Sequence, residues 1–237
     1  MTLEIKTIVL KNYLGNVNCY LIKTDTGFIL IDTGWANKRK ELEKELERAG
    51  CTSGNLELII LTHGDFDHTG NSAYIGKKFG SKIAMQSDDS RMVENGDMFW
   101  NRKKTNVFTR TAVNALLGIL GLRPDRFKPD ISIDEGDDLS KYGFNAVVLH
   151  IPGHSKGSIG ILTTEGDFFC GDLLENTDKP AAGSIIDDPM DFNASIEKLG
   201  KLEINTVYPG HGKPFQMTLL TKSCKKLQMS KENRRKI

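Results

Sequence analysis

Apolar and polar positions change rhythm several times along the 237-residue chain, and each rhythm predicts an element. Alternation over Ile5 to Leu10 and apolar runs over Asn18 to Lys23 and Phe28 to Asp32 predict three strands. The last two meet at a hairpin-type turn, Asp25-Thr26-Gly27. Asn37 to Ala49 is densely charged, with Leu42 and Leu46 four apart on one helical face and Gly50 as the stop. Leu58 to Leu61 predicts a short buried strand, Asn71 to Phe79 a helix ending at Gly80, and Lys82 to Met85 a further strand. The second half repeats this grammar. Strands are expected at Ile131 to Ile133, Asn145 to Ile151, Ser158 to Thr163 and Asp167 to Cys170. A helix over Phe192 to Leu199 precedes a strand over Thr206 to Tyr208, and a basic helix closes the chain. Strands alternating with helices in both halves predict two packed sheets with helices outside and a site along one rim.

One stretch breaks the rhythm. Asp89 to Arg126 carries no strand signal but holds Met92, Met98, Phe99, Trp100, Phe108, Leu116, Leu117, Ile119 and Leu120 at mixed helical spacing. It reads as a helical insertion at about 89–126 within a single domain spanning 1–237. On periodicity alone, a roof over the site and an outer packing layer are equally well supported.

Chemistry concentrates after the strand Leu58 to Leu61, in Thr62-His63-Gly64-Asp65-Phe66-Asp67-His68-Thr69-Gly70. Four candidate metal ligands fall within six residues, with glycine allowing a tight turn. The chain has only five histidines, and two more sit beside glycine at strand ends, His154 in Pro152-Gly153-His154-Ser155 and His211 in Pro209-Gly210-His211-Gly212. Imidazole and carboxylate gathered at strand ends suit a metal centre better than a solvated loop.

Composition narrows the rest. With 38% apolar and 27% charged residues the chain is an ordinary globular protein, and 32 basic residues against 31 acidic ones give no electrostatic case for nucleic acid or a membrane surface. The basic cluster Lys222 to Lys236 suits the C-terminal end of a helix. Cys19, Cys51, Cys170 and Cys224 are widely spaced without a CxxC pair, and the N-terminus has no signal-like apolar segment. The longest apolar stretch, Ala115 to Leu122, is too short to span a bilayer. A reducing, cytoplasmic location is expected.

These motifs, in this order, resemble the metallo-β-lactamase superfamily, particularly its hydrolase branch with glyoxalase II and acyl-homoserine-lactone lactonases. The resemblance runs over about residues 15–215 and implies an α+β fold, a four-layer αββα sandwich. It also implies a ligand set. His63, position 65 and His154 would bind a first metal, Asp67, His68 and His211 a second, and Asp172 of Gly171-Asp172 would bridge them. Asp32-Thr33-Gly34 matches an early strand-end turn whose aspartate is structural. The family pattern usually has histidine where this chain has Asp65. The flavodiiron branch, which binds iron, places a glutamate there.

The third aspartate changes the electrostatics. Two divalent metals and a bridging hydroxide would be neutral with three aspartates, one charge below the usual set. A less positive centre acidifies its water less. Oxygen ligands also favour iron or manganese over zinc. Aspartate is shorter than histidine or glutamate, so direct ligation by Asp65 and action through an intermediary weigh evenly.

The resemblance implies a metal-dependent hydrolase whose metal-bound hydroxide attacks an ester, thioester or lactone of a small molecule, with Asp67 both ligand and orienter. The alternative, motivated by Asp65, is a di-iron redox protein lacking a flavin domain. Other candidates have plainer readings: His150 as a core or edge histidine, Lys156 and Lys213 as exposed loop lysines, and Trp35, Tyr208, Phe99 and Trp100 as packing aromatics. Glu175 and Asn176 lie just past Asp172 and could meet substrate.

Overall fold

The computed structural model describes residues 3–103 and 106–220. The first sheet is formed by β1 (Glu4–Leu10), β2 (Val17–Lys23), β3 (Phe28–Ile31), β4 (Leu56–Ile60), β5 (Lys82–Met85) and β6 (Ile131–Ser132), in that order. β1, β2 and β3 pair antiparallel and the rest parallel. Among the described residues, five α-helices accompany this half: α1 (Arg39–Arg48), α2 (Phe66–Thr69), α3 (Ser72–Phe79), α4 (Ser87–Asn95) and α5 (Val107–Ile119). The second sheet contains β7 (Ala146–His150), β8 (Ile159–Thr163) and β9 (Asp167–Gly171). A small ribbon of β10 (Leu174–Glu175) and β11 (Ala181–Ala182) follows, then α6 (Pro189–Leu199), β12 (Thr206–Pro209) and β13 (Phe215–Gln216). The sheet order is β13-β12-β9-β8-β7, with only the β9–β12 pair parallel.

Three apolar clusters show why the layers stack. Alternate strand residues point to opposite faces. Leu21, Leu30 and Ile59 face outward onto Leu42 and Leu46 of α1 and Ile75 and Phe79 of α3. Their neighbours Ile22, Ile29 and Ile60 face inward and meet Val148, Ile161 and Phe169 of the second sheet. On that sheet's far side, Phe168, Cys170 and Val207 pack with Leu199 of α6. Helix, sheet, sheet and helix therefore form the expected αββα sandwich. Each fully buried Leu or Ile contributes about 1.5–3 kcal/mol of transfer free energy, so both sheets are held mainly by this burial.

Most predicted elements appear with ends shifted by a residue or two. α6 begins earlier than expected, because Asp188 caps it by accepting from Met190 N at 2.9 Å and Pro189 occupies the first turn. The predicted basic C-terminal helix and Cys224 fall outside the described residues. Cys19, Cys51 and Cys170 are buried free thiols. Among the described residues no helix is long and apolar enough to cross a membrane.

Candidate metal centre

The loops leaving β4, β7, β9 and β12 converge on one rim. His63, Asp65, Asp67 and His68 come from the first sheet, and His154, Asp172 and His211 from the second. Gly210 makes their closeness possible. A Cβ there would lie 2.3 Å from Asp172 Oδ1 and 2.6 Å from His68 Cε1.

All four histidines are oriented the same way. His68 Nδ1 donates to Asp32 Oδ2 at 2.8 Å, His154 Nδ1 to the Ile185 carbonyl at 2.9 Å and His211 Nδ1 to the Asn16 carbonyl at 2.6 Å. His63 Nδ1 donates to Thr62 Oγ1 at 2.9 Å, and that hydroxyl donates onward to Asp32 Oδ2 at 2.8 Å. Every Nδ1 is thus committed outward, leaving Nε2 for the centre. One buried carboxylate, Asp32, orders both His63 and His68. It does so with a left-handed backbone, φ 60°, which aspartate tolerates better than most residues.

The pole formed by Asp67, His68, Asp172 and His211 fits a metal. His68 Nε2 to Asp172 Oδ1 is 3.2 Å, His211 Nε2 to Asp172 Oδ2 3.2 Å and His211 Nε2 to Asp67 Oδ2 3.3 Å. Metal–ligand bonds of about 2.0–2.2 Å in tetrahedral geometry need ligand edges of about 3.3–3.6 Å. His68 Nε2 and Asp172 Oδ1 are buried without hydrogen-bond partners, an arrangement that a cation between them would resolve. Burial opposes charge on His211, yet Asp172 and Asp67 push it up to about 11. The same anionic pull favours a metal ion.

The other pole is different. His63, Asp65 and His154 lie close enough to hold an ion, and His63 Nε2 is likewise buried without a hydrogen-bond partner. However, the Arg102 guanidinium already contacts Asp65, with Nη2 2.6 and 2.7 Å from the two carboxylate oxygens and 3.3 Å from His154 Nε2. Burial alone would raise the Asp65 carboxyl, but Arg102, His154 and His63 hold it well below the usual carboxylate range.

Arg102 escaped sequence reading, as did Asp89. The Asp89 carboxylate is fully buried and accepts from Gly64 N, Ser155 Oγ, Gly157 N and Asn101 Nδ2. It thereby joins the loop after β4 to the loop after β7. Both residues come from the 89–126 segment, whose Met98, Phe99, Val113 and Leu117 also line a cavity of about 340 Å³ beside Asp67. Trp35 lines it too, whereas Trp100 lies under Arg110 and Tyr208 stacks on Phe169. His150 binds the Lys156 carbonyl, Lys156 pairs with Asp88, Glu175 accepts from Ser184 N, and Asn176 donates to the Lys213 carbonyl.

A family model described as the metallo-beta-lactamase superfamily matches residues 12–211, a span that includes every motif above. The chain belongs to that superfamily. A probable metallo-hydrolase of Methanocaldococcus jannaschii is 30% identical over 86% of this chain and 91% of its own length. The hydroxyacylglutathione hydrolase GloC of Haemophilus influenzae is 31% identical over 66% of each chain. Among solved structures, the protein TTHA1623 in a di-iron-bound form is 27% identical, with a TM-score of 0.67 over 90% of this chain and 96% of that one.

Proposed function

We infer that this metal-dependent hydrolase cleaves a thioester, ester or lactone of a small molecule whose acyl part is apolar. The observation that carries the reading is the cavity beside Asp67. Its wall is Trp35, Phe66, Met98, Phe99 and Leu117, and its few polar groups include Asp67 and Arg102. A largely apolar chamber with a few polar groups suits an acyl chain whose carbonyl rests at the metal pole. The Haemophilus relative is named a hydroxyacylglutathione hydrolase.

When bound, a metal held by Asp67, His68, Asp172 and His211 supplies Lewis acidity and an acidified water. Those two histidines and two aspartates suit zinc, iron(II) or manganese(II). The protein contributes orientation. Asp67 is both a wall of the cavity and a neighbour of His211, so its carboxylate can accept a hydrogen bond from the attacking water and aim it. The guanidinium of Arg102 lies on the same cavity and can donate to the carbonyl oxygen as negative charge develops there. The di-iron redox reading was motivated by Asp65 as a ligand, and that carboxylate is bonded to Arg102.

The test uses protein stripped of metal and reloaded with zinc, iron(II) or manganese(II). It is assayed on matched thioesters, nitrophenyl esters and lactones with acyl groups from acetyl to decanoyl. Metal-dependent turnover that rises with chain length until the cavity is filled supports the reading. No metal-dependent turnover on any member overturns it.

A further inference from the structure

We propose that Arg102 is the resident cation of the pole formed by Asp65 and His154, so that the chain binds one metal ion, held by Asp67, His68, Asp172 and His211. This rests on the hydrolase reading above and concerns how its centre is built.

Geometry separates the two poles. At the second, three ligand-atom distances of 3.2, 3.2 and 3.3 Å approach the edges of a tetrahedral centre, and one edge, His68 Nε2 to Asp67 Oδ2, is longer at 3.8 Å. At the first, His63 Nε2 is 3.9 Å from Asp65 Oδ2 and 3.9 Å from Asp172 Oδ2, and only the Asp65–His154 edge is short, at 3.2 Å. The atoms of that short edge are the ones Arg102 Nη2 contacts. A guanidinium has no lone pair to offer a metal and keeps its proton in proteins. It therefore competes with a metal for Asp65 and His154 and cannot join them as a ligand.

The arginine is also built in. Both the Arg102 and Asp65 side chains are only 4% exposed. Asn101 donates to the Asp88 carbonyl at 2.7 Å and to Asp89 Oδ1 at 3.1 Å, and Lys103 N donates to Asp187 Oδ1 at 3.2 Å. The backbone is thus anchored on each side of Arg102. A dangling surface arginine would have neither the burial nor the anchors.

Charge explains why position 65 is aspartate. A buried guanidinium beside a metal needs a counter-ion, and a neutral histidine at 65 would leave two cations facing each other. Asp65 cancels Arg102, so the pair adds no net charge to the centre. The aspartate that departs from the family pattern and the arginine from the irregular segment form one unit. Arg102 also lines the substrate cavity. One pole then offers a metal and the other a fixed organic cation.

Metal stoichiometry tests this without reference to turnover. Native mass spectrometry and elemental analysis would be run on protein equilibrated with excess zinc or iron(II) and then desalted. The double variant Asp65→His/Arg102→Met would be run alongside, because it removes both charges and restores a histidine. The expected result is one equivalent in the wild type and two in the double variant. The single variant Arg102→Met leaves Asp65 buried and unpaired, so the double variant guards against a folding failure. Two equivalents retained by the wild type would overturn the proposal, as would one equivalent in a folded double variant. No bound metal in the wild type would overturn the hydrolase reading itself, a distinct outcome.

Discussion

Asp32 illustrates how much a single residue outside the ligand set decides. Its Oδ1 accepts from Thr62 N at 2.9 Å, and its Oδ2 accepts from Thr62 Oγ1 and His68 Nδ1, both at 2.8 Å. Three donors therefore converge on one carboxylate. An asparagine has one acceptor oxygen, so in either orientation at least one donor faces an NH2 group. Asparagine also tolerates the left-handed backbone, which isolates the electronic change from backbone strain. Asp32→Asn is expected to weaken metal affinity about 10–100-fold, the usual cost of losing an outer partner of a ligating histidine. Competition with a fluorescent chelator measures it, and an unchanged affinity would mean the histidines hold their orientation without Asp32. At this scale the sequence was legible where chemistry is local. His63, Asp67 and His68 announce themselves within six residues, and His154, Asp172 and His211 each follow a strand. Arg102 was not legible. It meets Asp65 across 37 positions, from an irregular stretch between α4 and α5 with no period to read. The one available hint was Asp65 itself, a buried carboxylate in a metal motif that calls for a cation.

At the scale of elements, α4 links the two halves of the rim. Its first turn carries Asp89, which bonds Gly64 in the first sheet's loop and Ser155 and Gly157 in the second's. Gly157 has no room for a side chain there, since a Cβ would sit 2.7 Å from Asp89 N. Asp89→Ala would leave the Gly64 and Gly157 N–H groups without their acceptor, while Ser155 Oγ keeps Ser158 Oγ and Asn101 Nδ2 keeps the Asp88 carbonyl. Each buried unsatisfied group costs about 1–3 kcal/mol, with some recovery by relaxation, so a loss of about 3–5 kcal/mol is expected. Urea unfolding of the metal-free protein checks this. A loss under about 1 kcal/mol would show that the two loops are held elsewhere. The longer strands and the helices α1, α3 and α6 were readable because period and stop signals agreed with the final packing, whereas the two-residue strands β10, β11 and β13 were too short to show a period. α4 was absorbed into a longer segment. Its Asp89 looks like any helix-start aspartate until tertiary structure surrounds it with donors.

For the molecule as a whole, the centre spans both sheets. Asp67 and His68 come from the first, Asp172 and His211 from the second, and a metal held among them would be a cross-link that the apolar interface does not supply. Hydrogen bonds within the protein also join the two halves at this rim. Asn18 Nδ2 donates to the Pro209 and Gly212 carbonyls at 2.9 and 2.7 Å, and Tyr20 Oη donates to the Pro209 carbonyl at 2.6 Å. Ligand binding to the native state alone stabilises it by RT ln(1 + [L]/Kd), about 2.7 kcal/mol at a free metal concentration 100-fold above Kd. For a chain of this size each kcal/mol moves the melting temperature by about 2–4 °C. Removing the metal with a chelator is therefore expected to lower it by about 5–10 °C, and readdition should restore it. Acid should have the same effect by another route. Imidazole must be unprotonated to ligate, and Asp172 and Asp67 raise the proton affinity of His211, so protons compete strongly there. The chelator-sensitive part of the melting temperature should shrink as pH falls, while the metal-free protein keeps its His211–Asp172 and His211–Asp67 ion pairs. Differential scanning calorimetry across pH, with and without chelator, separates the two contributions. A metal-dependent increment that stays constant as pH falls would mean that these histidines do not carry the binding.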